Sequence, residues 1–162
     1  MIAQRLRRGD PDLLLRIGDN EPEVVSECLS GLLNCSPKES LPFVSQFLES
    51  ADTALREAAI LALGRSRIPE AFDALKACWQ RDPLGLKETL LLAMAMLRLP
   101  AANEFLLELV ATGPETVSSA ALSALMIHLY DPRLRQRIAE AIDKSGSRSL
   151  RAKFERDSRK GE

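Results

Sequence analysis

Apolar positions along this chain follow a helical rhythm, and that rhythm recurs every 31 residues. In Leu55-Arg56-Glu57-Ala58-Ala59-Ile60-Leu61-Ala62-Leu63-Gly64, residues 55, 59, 62 and 63 stand at i, i+4, i+7 and i+8, which is one face of an α-helix. Shifting that window by 31 aligns Leu55 with Val24, Leu86 and Val117, and Ala59 with Cys28, Leu90 and Ala121. It also aligns Ala62 with Gly31, Ala93 and Ala124, and Leu63 with Leu32, Met94 and Leu125. Amphipathicity asks only for an apolar residue in each column, yet Gly31/Ala62/Ala93/Ala124 is uniformly small. Small residues let helix backbones approach, so this column predicts a repeated tight crossing.

A second helix follows in the same register. Val44, Phe47 and Leu48 align with Leu75, Cys78 and Trp79, then with Leu106, Leu109 and Val110, again on one helical face. In the fourth copy the pattern slips by one residue and uses Leu134, Ile138 and Ile142 within Pro132–Ile142. Turn signals separate the helices at Cys35-Ser36-Pro37, Gly64-Arg65-Ser66, Arg81-Asp82-Pro83, Leu99-Pro100 and Thr112-Gly113-Pro114. Pro37, Pro69, Pro83, Pro100, Pro114 and Pro132 all fall near predicted first turns, where a missing N–H is harmless. Running backwards, Leu13 and Ile17 precede Val44 and Leu48 by 31 residues, so Asp10–Gly18 reads as the second helix of an earlier repeat.

The expected organisation is a repeat array over 1–142, with a partial repeat at 1–18 and repeats at 21–50, 51–81, 83–112 and 114–142. A basic tail, 143–162, follows, opening on a linker, Lys144-Ser145-Gly146-Ser147-Arg148-Ser149. Leu150 and Phe154, four apart, make it either a short capping helix or a frayed end. The array starts part-way through a repeat, which suits a whole protein with a half-repeat cap and a piece of a longer array alike.

Composition narrows the class further. Aromatics are only 4 % against 46 % apolar residues overall, so alanine, leucine and methionine must fill the core. These are helix formers, and a β sandwich or barrel would want more Val, Ile, Thr and aromatics. The net charge of −1 advertises no nucleic acid, but basic ends, 1–16 and 143–162, flank an acidic middle. The start of the chain carries no signal-like apolar run, and no segment is apolar enough for a membrane helix. Cys28, Cys35 and Cys78 form no CxxC pair, which fits a reducing cytoplasm, with each expected as a small buried residue.

The paired helices, with Leu55-Arg56-Glu57-Ala58-Ala59, Ala62-Leu63-Gly64 and Pro69-Glu70-Ala71 up to Leu75, resemble the short HEAT-like repeats, also called PBS-lyase-type repeats. The likeness covers about residues 10–142 and is best in the second copy; Lys87 replaces Arg56 in the third, and Val25 and Ser118 stand there in the first and fourth. The period is shorter than the roughly 40–47 residues of long HEAT and armadillo repeats. The resemblance implies an all-α, right-handed α-solenoid of about four helix pairs, and it implies function poorly. Deoxyhypusine hydroxylase looks like such an array with His-Glu pairs holding iron. This chain has one histidine, His128, and no His-Glu pair, so that activity is excluded. HEAT-like DNA glycosylases line a basic groove with Arg, Lys and Trp.

The second helices of HEAT-type arrays line the concave face. Their solvent side here carries Glu39, Gln46 and Glu49, then Glu70, Asp73 and Gln80, then Glu104 and Glu108. Such an acidic ridge repels phosphates and counts against a glycosylase-like groove. It reads either as an ordinary solvated helix face or as a groove for a basic segment of a partner. The candidate partner-binding residues are Glu39, Gln46, Glu70, Asp73, Lys76, Glu104 and Glu108, with Arg133 and Arg135 opening the last second helix.

No catalytic or cofactor motif competes. GxSxG, GxxxxGK[ST] and HExxH are absent, and Ala124 and Pro132 flank His128 where a metal partner would stand. His128 is expected to be a partly buried or surface histidine, and Trp79 a core residue. No metal and no cofactor is expected. The expected function is a non-enzymatic, cytoplasmic interaction or scaffold module that binds another protein through a basic segment of that partner. The alternatives are an accessory subunit of an enzyme, of the bilin-lyase kind, and weak nucleic-acid binding through the basic ends.

Overall fold

The computed structural model describes residues 22–81 and 85–159. The expected partial repeat at 1–18 and Pro83 lie outside them. Among the described residues there are nine α-helices and no strand. They are α1 (Pro22–Cys35), α2 (Pro37–Gln46), α3 (Thr53–Arg65), α4 (Pro69–Gln80), α5 (Lys87–Met96), α6 (Pro100–Thr112), α7 (Glu115–Leu125), α8 (Pro132–Ser145) and α9 (Arg148–Ser158). Short 3₁₀ turns follow α2 (Phe47–Glu49) and α7 (Met126–His128). The fold class is therefore all-α, of the helix-pair solenoid kind that the periodicity demanded.

The local reasons are legible. Pro37, Pro69, Pro100 and Pro132 each occupy the first turn of a helix, as expected. Pro114 stands one place earlier, at the N-cap of α7. Asp52 caps α3, its Oδ1 accepting from the Ala54 amide at 2.9 Å, and Asp131 caps α8 the same way through the Arg133 amide at 2.9 Å. Gly146 ends α8 at φ 65°, a left-handed cap that glycine adopts without a Cβ penalty.

Two compact units divide the chain, one ending at Leu97 and the next beginning at Arg98. The division falls between α5 and α6, inside the stretch 83–112 read as one repeat. In the first unit the first helices α1, α3 and α5 lie side by side, α3 between the other two. Leu32, Leu63 and Met94 of the strongest column are all buried there, with Leu29, Leu33, Ile60, Leu90 and Leu91. The second helices contribute Val44, Leu48, Leu75 and Cys78. In the second unit α6 packs against α7 and α8, and α9 packs against α7 and α8. Leu106, Val110, Leu122, Leu125, Leu134, Ile138, Ile142 and Leu150 form its core.

The small-residue column behaves differently in each copy. Ala62, Ala93 and Ala124 are buried, but Gly31 is exposed, with none of the described residues within 4 Å of where its Cβ would stand. The tight approach in the first unit lies instead between Ala93 and Gly64, two residues on from Ala62: a Cβ on Gly64 would meet the Ala93 Cα at 2.7 Å. A second small column went unread. Ser40, Ala71 and Ala102, 31 apart, are all buried on second helices. Ser40 satisfies its hydroxyl by donating to the Leu32 carbonyl at 3.0 Å.

A third regularity sits in the turns. Arg67 and Arg98, also 31 apart, both adopt left-handed backbone, φ 55° and 56°. Each is the residue between a first helix and the residue capping its second helix. A non-glycine residue pays roughly 1–2 kcal/mol there, partly offset by the greater chain entropy of glycine. Replacing Arg67 or Arg98 by glycine is expected to stabilise the chain by about 0.5–1 kcal/mol in urea unfolding. A lower midpoint for both variants would show that the arginine side chains themselves hold the turns.

Candidate partner-binding surfaces

The candidate residues divide between the two units. On α2, Glu39 in the first turn and Gln46 seven residues later are both exposed and share a helical face. On α4, Glu70 and Asp73 are exposed at i and i+3. Lys76 is half-buried, its ammonium 5.8 Å from the centre of the Phe72 ring. Among the described residues Glu39, Glu70 and Asp73 enter no ion pair. Among the described residues, the first unit thus presents three exposed carboxylates outside any ion pair on its second helices.

Other acids of the expected ridge are already spent. Arg81 at the end of α4 forms an ion pair with Glu49 after α2. In the second unit Arg137 of α8 donates to the Glu104 carboxylate of α6 at 2.5 Å. Arg65 likewise holds Glu27 at 2.6 Å. Like charges one period apart do not reveal the Glu49 and Glu104 pairs. The partners lie one period plus one or two residues apart, at 32 for Glu49–Arg81 and 33 for Glu104–Arg137. A search for opposite charges at that offset finds both. Glu108 is exposed, and its backbone carbonyl accepts from the Thr112 hydroxyl at 2.9 Å.

The Arg137 hydrogen bond holds the Glu104 carboxyl below its ordinary value, and Glu104 in turn raises the Arg137 guanidinium. A carboxyl with a depressed folded-state value stabilises the fold above its unfolded-state value and loses that contribution as pH falls through the folded one. Unfolding the native chain and Glu104→Gln across the acid range should give a stability gap at neutral pH that closes on acidification. A gap independent of pH would place the effect of the substitution outside the ion pair.

Arg133 and Arg135 are both exposed near the start of α8 and form no ion pair among the described residues. Arg135 lines a shallow cavity of about 210 Å³ with Phe154, Glu155, Ser158 and Arg159. Arg133, Arg135 and Arg137 alternate along the chain but not in role: Arg137 reaches α6 and Arg135 faces α9.

The remaining singled-out residues settle as follows. His128 is more buried than expected, at 4 % exposure, edge-to-face with Tyr130. Trp79 is half-buried rather than fully in the core, with the Lys87 ammonium 5.9 Å from its ring centre. Only Cys78 of the three thiols is buried; Cys28 is half-buried and Cys35, the last residue of α1, is exposed. Burial pushes the Cys78 thiol up, against the lowering pull of Arg81 and Arg56. Among the described residues no group of three or more His, Cys, Asp and Glu gathers as a metal site. No helix among them is long and apolar enough to cross a membrane.

Residues 11–95 match the family model of HEAT repeats. A comparison with curated proteins gives no significant match.

Proposed function

We propose, because the chain belongs to the HEAT-repeat family, that it is a non-enzymatic module whose first unit binds a basic segment of another protein. HEAT repeats generally mediate protein interaction or scaffolding, since stacked helix pairs present side chains at fixed spacing. The observation that carries the finer reading is the set Glu39, Glu70 and Asp73: exposed, on successive second helices, and, among the described residues, without the arginine partners that Glu49 and Glu104 have. Uncompensated carboxylates on helices favour a cationic ligand and repel phosphate. Gln46 and Lys76 flank them as hydrogen-bonding groups. The 31-residue period and the Leu55–Gly64 text support the short, PBS-lyase-type form of the repeat. A cytoplasmic location fits three free thiols.

The test is fluorescence anisotropy of the whole chain with a labelled lysine- and arginine-rich peptide. The native chain should bind it saturably and more weakly as salt rises. Glu70→Lys with Asp73→Lys should lower affinity by about tenfold, with the melting profile unchanged. Equal affinity in the double variant would remove this face as the binding site.

A further inference from the structure

The second unit carries a surface of the opposite chemistry. Among the described residues only three large apolar side chains are exposed, and two of them, Ile127 at 42 % and Tyr130 at 67 %, stand three apart in the turn that joins α7 to α8. Ile127 lies in the 3₁₀ turn Met126–His128, and Tyr130 follows just past its end. We propose that this turn is a second protein-docking surface, on which Tyr130, Ile127 and Arg98 take an acidic segment of a partner that carries an apolar anchor.

Three observations carry the proposal. First, the ring is held in place before any partner arrives. Tyr130 meets His128 edge-to-face at 5.9 Å, and its hydroxyl lies 3.4 Å from His128 Nδ1. The imidazole is itself buried, so the exposed ring stands on a fixed base. A pre-positioned aromatic loses little freedom on binding, which is why tyrosine is common among residues that dominate interfaces.

Second, Arg98 brings its guanidinium to 5.9 Å from the centre of that ring. Glycine or asparagine would occupy its left-handed backbone more easily. Arginine is what places a cation over the tyrosine, and its N–H groups enter no ion pair among the described residues.

Third, the charge next to the turn is positive. Arg133 follows on α8 without an ion-pair partner among the described residues, whereas Arg135 faces Glu155 of α9. Asp131, between the turn and α8, is turned to the amides of Arg133 and Leu134 as the helix cap. An apolar pair beside unpaired arginines complements an acidic peptide with one apolar side chain. It does not complement the basic segment proposed for the first unit.

This inference goes beyond the acidic-face reading, uses none of its residues and is tested apart from it. A random displayed peptide library is selected on the whole chain, and the recovered peptides are measured by anisotropy. The expected result is enrichment of acidic peptides with an aromatic or aliphatic residue. Their affinity should fall by about tenfold or more in Tyr130→Ala and severalfold in Ile127→Ser and Arg98→Gly. It should not change in Arg67→Gly, the same turn one repeat earlier, nor in the Glu70→Lys, Asp73→Lys double variant. Thermal melts no lower than that of the native chain keep a loss from being a folding defect. The proposal is overturned if no acidic peptide is enriched, or if the enriched ones bind Tyr130→Ala as tightly as the native chain. It is equally overturned if a single-stranded oligonucleotide outcompetes them and depends on the same side chains, since that assigns the patch to nucleic acid.

Discussion

Alanine in place of Gly64 is expected to destabilise the chain by about 1–3 kcal/mol, while alanine in place of Gly31 is expected to stabilise it by about 0.5–1 kcal/mol. Both glycines lie inside helices, Gly31 in α1 and Gly64 near the end of α3. In a helix interior alanine is the better residue by roughly 1 kcal/mol, because glycine has more freedom to lose. At Gly31 that is the whole effect, since an added Cβ meets nothing within 4 Å among the described residues. At Gly64 the Cβ would fall 2.7 Å from the Ala93 Cα, 2.8 Å from its carbonyl oxygen and 2.9 Å from its Cβ. Two of those atoms are backbone and cannot rotate away, so α5 must shift from α3. That shift loosens the contact between helices whose residues, Leu63 and Met94 among them, are fully buried. Repulsion then outweighs propensity. Urea midpoints of the two variants against the native chain decide it: midpoints moving in the same direction would remove the close crossing.

Leu150→Ala is expected to lower the stability of the second unit by about 2–3 kcal/mol and to release α9. Leu150 is 2 % exposed and is the sole fully buried residue of α9. Phe154, four residues on, is half-buried. An isolated helix of this length is marginal in water, so α9 persists only through its packing on α7 and α8. Polar contacts assist it without replacing the leucine. Lys153 Nζ donates to the Ser119 carbonyl at 2.9 Å, to the Ser119 hydroxyl at 2.8 Å and to the Ser123 hydroxyl at 2.5 Å. Ser149 donates to Glu115 at 2.9 Å, and Arg151 pairs with Asp143. A net hydrogen bond is worth about 1 kcal/mol, so Lys153→Met should cost less than Leu150→Ala. Amide exchange is the discriminating measurement. In Leu150→Ala, residues of α9 should lose protection while α3 and α5 keep theirs, because stacked repeats lose structure locally. Protection retained in α9 would mean that the polar contacts alone hold it.

The helices were legible because amphipathic spacing and turn prolines act through local geometry. Val44, Leu75 and Leu106 took buried positions, as did Leu134, Ile138 and Ile142 after the one-residue slip. The candidate surface was legible in part. Exposure of Glu39, Glu70 and Asp73 follows from their helical angle. Their freedom, against the pairing of Glu104 with Arg137, does not. A long arginine chooses among acids by distance and direction, and neither is written in a periodicity. Ile127 and Tyr130 drew no notice because a turn has no face against which exposure could be judged.

Taken alone, the sequence determined a helix-pair array with a 31-residue period, its apolar columns and its first-turn prolines. These depend on backbone hydrogen bonding and side-chain angle, which repeat with the residues. Only the tertiary structure decided that Gly64 rather than Gly31 meets a neighbouring backbone, that Arg67 and Arg98 turn left-handed, and that Arg98 stands over Tyr130. Such facts depend on how closely two helices approach and where a flexible side chain finds its partner. Both are properties of the packed chain, and the same columns of small and charged residues are compatible with several outcomes until the helices meet.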